Sequence, residues 1–215
     1  MNGENLFAIT GSEVFLSTDK GNSWITVSSG LGSVSIQSLA ASGTDIFAST
    51  SGGIFYSNNN GTTWNVVDTT ITDAYVAINN NMVLAGTVDN LYRSTDKGLN
   101  WEALDLGKDN GMFYDLAIND SAIFVGCRRG LLRSTDNGKS WTLLKSGLTD
   151  SLIQSIVLSE NRIFVGAKYG GIFLSTNNGT DFTAINSGID QAYVNILTMI
   201  DDKLFAGVQG RGLFC

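Results

Sequence analysis

Thirteen lysines and arginines and a set of loop aspartates carry whatever chemistry this 215-residue chain has, because it contains no histidine. Without imidazole there is no His-based triad, no His-ligated zinc, and no imidazole-activated thiol nucleophile at Cys127. A pair of carboxylates about 6.5–9.5 Å apart is enough for inverting glycoside hydrolysis, and Asp73, Asp89, Asp109, Asp150 and Asp190 are the candidates. The segments holding them are short, and no insertion between them is long enough to form a substrate cleft or lid. Recognition is the other chemistry on offer. Arg128-Arg129, Lys168-Tyr169 and Arg211 stand in short glycine-containing segments of an otherwise acidic chain. With Gln37, Tyr114, Gln154 and Asn195 they suit a ligand bearing hydroxyls or a carboxylate, such as a glycan, or an acidic patch on a protein. Simple solvation is the plainer account of any one of these side chains taken alone.

The elements that position these groups follow from a repeat. The pattern Ser-x-(Asp/Asn)-x-Gly-x-x-(Trp/Phe) starts at Ser17, Ser57, Ser94, Ser134 and Ser175, at intervals of 40, 37, 40 and 41 residues. All four tryptophans occupy its last position. A period near forty with several short strands per period predicts an all-β β-propeller. One unit reads as strand A over 152–158, B over 162–167, C over 171–175 and D over 182–185. Strand B recurs as an apolar triplet six times, from Leu6-Phe7-Ala8 to Leu204-Phe205-Ala206. No segment holds a 3.6-residue period, so almost no helix is expected.

The units fall at 1–30, 31–70, 71–107, 108–148, 149–189 and 190–215, the first and last incomplete, within one propeller domain. The overlap of the two partial units at strands B and C suggests a piece of a longer propeller. The alternative is five blades closed by the last strand A. Gln37, Tyr114, Gln154 and Asn195 then begin the A strands, on the rim that also carries the B–C connections.

Bulk composition narrows the partners. The net charge is −7 and only 15% of residues are charged, which speaks against nucleic acid or an anionic membrane surface. No apolar run approaches membrane-spanning length, and residues 1–20 lack the pattern of a signal peptide. Cys127 and Cys215 lie at different strand positions, so no internal disulfide is expected.

Ser17–Trp24 (STDKGNSW) and Ser134–Trp141 (STDNGKSW) resemble Asp-boxes, the bacterial neuraminidase repeat of sialidases, xyloglucan-active hydrolases, sortilin-type receptors and photosystem II assembly-factor-like propellers. The resemblance covers essentially the whole chain and implies a propeller whose ligand rim lies opposite the C–D turns. It also implies a bacterial protein displayed outside the cell.

Within the turn, Asp19, Asn59, Asp96, Asp136 and Asn177 should accept backbone N–H bonds, and Gly21, Gly61, Gly98, Gly138 and Gly179 should supply a positive φ. Trp24, Trp64, Trp101, Trp141 and Phe182 should then pack back onto the blade. Calcium is the competing chemistry. Asparagine at two of the five third positions makes the negative charge dispensable, and the bidentate glutamate of a calcium loop is missing, so no metal or other cofactor is expected.

Sialidase chemistry would need three convergent arginines. Arg93 and Arg133 precede motifs and Arg162 lies at an A–B turn, which leaves Arg128, Arg129 and Arg211, and the neighbouring Arg128 and Arg129 should diverge. The Arg-Ile-Pro start of that family is also absent. The resulting expectation is a non-catalytic interaction scaffold for a protein or glycan, with a glycan-binding module or glycoside hydrolase as the alternative.

Overall fold

The apolar triplets beginning at Ile46, Val83, Ile123 and Ile163 form strands buried on both faces, those at Leu6 and Leu204 are partly buried, and this sets the architecture. In the computed structural model, residues 5–107, 112–148, 152–189, 192–200 and 202–215 are described, and no helix occurs among them. Two compact units divide at Leu104/Asp105.

In the first, a blade of β1 (Leu6–Thr10), β2 (Glu13–Ser17) and β3 (Ile25–Thr26) precedes two four-stranded blades. These are β4 (Ile36–Ser42), β5 (Asp45–Thr50), β6 (Gly53–Ser57), β7 (Asn65–Asp68), and β8 (Tyr75–Asn79), β9 (Met82–Gly86), β10 (Leu91–Ser94), β11 (Glu102–Leu104).

The second unit holds β12 (Phe113–Ile118), β13 (Ile123–Cys127), β14 (Gly130–Ser134), β15 (Thr142–Leu144), and then β16 (Ile153–Ser159), β17 (Arg162–Ala167), β18 (Gly171–Ser175), β19 (Thr183–Ala184). A last blade of β20 (Val194–Ile200), β21 (Lys203–Val208) and β22 (Gly212–Phe214) follows. Every pairing is antiparallel between sequence neighbours, the meander of a propeller blade. The described residues thus form six blades, the first and last with three strands each.

Alternation along the second strand of a blade feeds two cores at once. On β5, Ile46 and Ala48 pack with Val14, Leu31 and Trp64, while Phe47 between them packs with Ile71, Ala74 and Val83. On β17, Ile163, Val165 and Ala167 join the core with Phe124 and Phe182, and Phe164 joins Ile189, Val194 and Leu197. A strand buried on both sides needs no polar face, which is why the triplets run apolar without a break.

The turn motif is a closed hydrogen-bond knot. In the fourth copy, Ser134 Oγ donates to Asp136 Oδ1 at 2.8 Å and accepts the Gly138 N–H at 2.7 Å. Asp136 Oδ1 also accepts the Ser140 N–H at 2.9 Å. The hydroxyls of Ser17, Ser57, Ser94 and Ser175 repeat these bonds, and all five serines are buried. Two consecutive residues take positive φ: Asn137 at 62° before Gly138 at 88°, as Lys20, Asn60, Lys97 and Asn178 do before their glycines. The serine hub, more than the carboxylate, closes the loop.

In the second and fifth copies the motif's aromatic residue reaches the preceding blade, whereas Trp141 Nε1 donates within its own turn, to Gly138 O at 3.1 Å. Trp64 Nε1 donates to Val27 O at 2.8 Å and its backbone N–H to Ser29 O at 2.9 Å. In the second unit the Phe182 N–H bonds Ser146 O at 3.1 Å. Gly30 and Gly147 sit under these junctions, where a Cβ would lie 2.3 Å from Trp64 O and 1.8 Å from Phe182 O. Ser29-Gly30-Leu31 and Ser146-Gly147-Leu148 are therefore a second repeated motif, the receiving half of the contact; Ser187-Gly188-Ile189 repeats its sequence, with open space where a Cβ at Gly188 would stand. The expectation that every motif aromatic packs down fails at Trp24, which is 42% exposed against 4% for Trp64. Its Nε1 bonds only its own turn, at Gly21 O. Among the described residues none plays for Trp24 the part that Val27 plays for Trp64.

Candidate functional site

Opposite the turns, the first strand of four blades opens with a β-bulge. The register slips between Ile36 and Ser38, Phe113 and Asp115, Ile153 and Ser155, and Val194 and Ile196. The extra residues are Gln37, Tyr114, Gln154 and Asn195, the side chains singled out in the sequence. A bulge residue is left out of the ladder and its side chain is re-aimed, which is how rims of barrels and propellers present groups to ligands. β8 pairs without a slip, so Tyr75 opens that blade differently.

The residue after three of the four bulges ties neighbouring first strands together; after the fourth stands the exposed Ile196. Ser38 Oγ accepts the Val76 N–H at 3.2 Å, and Ser155 Oγ accepts the Leu197 N–H at 3.0 Å. Asp115 fills the same position: Oδ2 accepts the Ile156 N–H at 2.6 Å, and Oδ1 accepts its neighbour Leu116 N–H at 2.9 Å. The residue keeps some exposure, but its carboxyl is turned inward. Desolvation pushes its pKa up to about 6 despite these N–H bonds, which pull it down.

The B–C connections are docked on the same rim by a recurring bond. The N–H of Ser51, Arg128, Lys168 and Gln209 donates to the carbonyl of Ser35, Met112, Leu152 and Tyr193 respectively. In the second unit this gathers an aromatic-cationic cluster. Lys168 Nζ lies 5.4 Å from the ring centroid of Tyr169 and 5.3 Å from that of Tyr193. The two rings meet edge to face with centroids 6.0 Å apart. Both ammonium distances are within cation–π range. Tyr169 and Tyr193, and more weakly Tyr114, raise the Lys168 pKa above its ordinary value. Tyr169 is 60% exposed.

Of the residues chosen from sequence, Lys168 and Tyr169 come together, and Tyr114 acts on Lys168 electrostatically from further off. Gln154 and Asn195 are bulge residues of the two flanking first strands, and Gln37 lies in the other unit. Arg128, Arg129 and Arg211 are exposed, Arg129 acting on the Cys127 thiol. Tyr193 is the member that sequence reasoning missed. Its signal was an aromatic two residues before a predicted rim residue, Asn195.

The remaining candidates are accounted for locally. Arg93 pairs with Glu102, Arg133 donates to the carbonyl of Asn178, and Arg162 meets Ser159 and Asp202. Cys127 and Cys215 are free thiols, and burial raises the pKa of Cys127. Asp73 and Asp89 lie in unit one, Asp73 at φ 52°, while Asp109, Asp150 and Asp190 fall outside the described residues. No group of three metal-ligating side chains occurs among the described residues.

Meandering blades latched by Ser/Asp/aromatic turns, with bulged first strands at the opposite rim, define an Asp-box β-propeller. The chain belongs to the DUF6242 beta propeller domain family, whose model matches residues 1–114, and residues 132–143 match the BNR/Asp-box repeat. Among solved structures it is similar to the Niastella koreensis GH74 enzyme at 22% identity and TM-score 0.70, over 98% of this chain and 34% of that one. YCF48 from Cyanidioschyzon merolae is 16% identical with TM-score 0.71, over 98% of this chain and 77% of that one. The extracellular domain of the putative one component system BT4673 from B. thetaiotaomicron is 16% identical with TM-score 0.78, over 99% and 30% of the respective chains. The chain thus spans about a third of the GH74 and BT4673 chains. No curated protein sequence matches it.

Proposed function

We propose that this chain is a non-catalytic propeller scaffold, on an exported bacterial protein, that binds a protein or glycan at the bulged rim of residues 105–215. One observation carries this: the Lys168 ammonium sits beside two tyrosine rings on that rim, with Tyr169 open to solvent. The polar groups of the opposite turns are engaged within the turns themselves. A propeller of this fold, YCF48, has been solved bound to the D1 peptide, which supports peptide recognition. Likeness to a GH74 enzyme supports the second reading, a glycan-binding module or glycoside hydrolase.

Peptide and glycan arrays probed with the wild-type chain and with the Arg128→Ala and Lys168→Ala variants test the proposal. Signal in the wild type that Lys168→Ala removes, at unchanged melting temperature, supports rim binding. Turnover of a polysaccharide overturns the non-catalytic role.

A further inference from the structure

We propose that the outer edge of the last blade, β22 together with the segment that follows β19, docks an extended strand from another protein, one carrying an aromatic residue and an aliphatic residue seven positions later. The bulged rim plays no part in this site.

The outer edge of each four-stranded blade is covered by its own fourth strand: β7 on β6, β11 on β10, β15 on β14 and β19 on β18. Among the described strands β22 pairs with β21 alone. Leu213 stands opposite Gly207 as Ile172 stands opposite Gly166, Leu131 opposite Gly126 and Ile54 opposite Ser49. Those three side chains are buried, whereas Leu213 is 72% exposed. Ile196 continues the same row on the other side of Gly207 and is exposed as well. A Cβ at Gly53 or Gly171 would strike Asp68 or Asn186, at the end of the fourth strand, but one at Gly212 would meet nothing within 4 Å.

The other half of the site is the end of the preceding blade. Gly61 and Gly179 of the next motif lie over Val27 and Leu144, which are buried; Ile185 holds the same place and is 38% exposed. The carbonyls of Ser29 and Ser146 accept the N–H of Trp64 and Phe182, and no donor among the described residues reaches that of Ser187. Gly188 has open space where Gly30 and Gly147 face the aromatic's carbonyl. Phe164 and Ile172 share one core with Val194 and Leu197, so the two halves are held together.

The covered junctions define what fits. One continuous segment spans both halves there: Trp64 or Phe182 bonds the preceding blade, and the residues after it pair as β7 or β19. Seven residues after these aromatics, Ile71 and Ile189 enter the cores that hold Ile54 and Ile172, the counterparts of Leu213. A partner strand with this spacing gains a seat for its aromatic on Gly188, a ladder of backbone bonds along β22, and apolar contact with Leu213. A second copy of the chain is a poorer donor. Its own segments of this pattern are committed to their blades, with Leu31, Ile71, Leu148 and Ile189 packed in the cores.

Fluorescence anisotropy of a labelled peptide with the sequence of residues 134–148, STDNGKSWTLLKSGL, titrated with the full chain, tests the site. The peptide carries the turn, the aromatic and the aliphatic residue seven positions on. Saturable binding is expected, weakened about tenfold when alanine replaces its tryptophan or aspartate its last leucine. Gly188→Asn adds a Cβ beneath the incoming aromatic while keeping a residue that accepts positive φ. This variant and Leu213→Asp should each weaken binding about tenfold. Both positions are exposed, so both variants should melt with the wild type.

No saturable binding, or binding that either protein substitution leaves unchanged, overturns the proposal. So does a dimer of the chain alone in sedimentation velocity that Leu213→Asp dissolves, since the edge would then belong to a second copy.

Discussion

Replacing Asp115 with serine is predicted to stabilise the chain at neutral pH. The carboxyl titrates near pH 6 in the folded chain, against 3.8 for a free aspartate, because desolvation outweighs the N–H bonds from Ile156 and Leu116. Between these values the folded chain holds the proton that the unfolded chain has lost, so stability falls as pH rises through the window. A shift of about two units corresponds to a ceiling of roughly 3 kcal/mol of destabilisation above the folded pKa. Serine already occupies this position as Ser38 and Ser155, whose hydroxyls accept the equivalent N–H at 3.2 and 3.0 Å. Serine at 115 keeps the acceptor for Ile156 and removes the charge, but gives up the bond to Leu116 N–H, which costs about 1 kcal/mol. The net gain at pH 7.5 is therefore roughly 1–2 kcal/mol, and at pH 4, where Asp115 is largely protonated when folded, it vanishes or changes sign. Urea unfolding of both proteins at pH 4, 6 and 7.5 measures this. Parallel stability curves, or a variant weaker than wild type at pH 7.5, would refute the reasoning.

The turn motif gives contrasting substitutions. Ser134→Ala removes a buried hydroxyl that satisfies Gly138 N–H and should cost about 2 kcal/mol in urea unfolding. Asp136→Asn should hardly move the melting temperature at pH 7, since Asn59 and Asn177 already serve in the same place. Hydrogen bonds from Ser140 and Ser134 hold Asp136 at a pKa of about 2, below its free value of 3.8, so its contribution persists above pH 3.8 and fades as pH falls through 2. Asp136→Asn should flatten that part of the acid melting profile. Trp64→Phe strands the Val27 carbonyl and should cost about 1–3 kcal/mol. Trp101→Phe removes a buried indole N–H that has no partner among the described residues, and should be nearly neutral in the same assay.

How far these features could be read in the sequence depends on how local they are. The motif spacing and the apolar triplets made the blades legible, and β16 to β18 fall within a residue of the strands predicted from them. The rim residues Gln37, Tyr114, Gln154 and Asn195 were legible by position, but their being bulges was not. A bulge is a mismatch between two strands, invisible in either strand alone. Tyr193 went unnoticed because its partner Lys168 is a residue of the preceding blade. The Ser-Gly-(Leu/Ile) repeat at Ser29, Ser146 and Ser187 was present to be found, and it explains why Gly30 and Gly147 tolerate no Cβ. Trp24 shows the limit of motif equivalence: Trp64 packs into a core with Val14 and Val27, whereas the Trp24 ring stays 42% exposed.

The direct measurement is a fluorine NMR spectrum of the chain carrying 3-fluorotyrosine at its six tyrosines, recorded with and without the ligand selected on the arrays. Ligand should shift the Tyr169 and Tyr193 resonances most, with Tyr114 next, and leave Tyr56, Tyr75 and Tyr92 in place. Shifts confined to those last three, or a saturated complex with no shift at Tyr169, would contradict recognition at this rim.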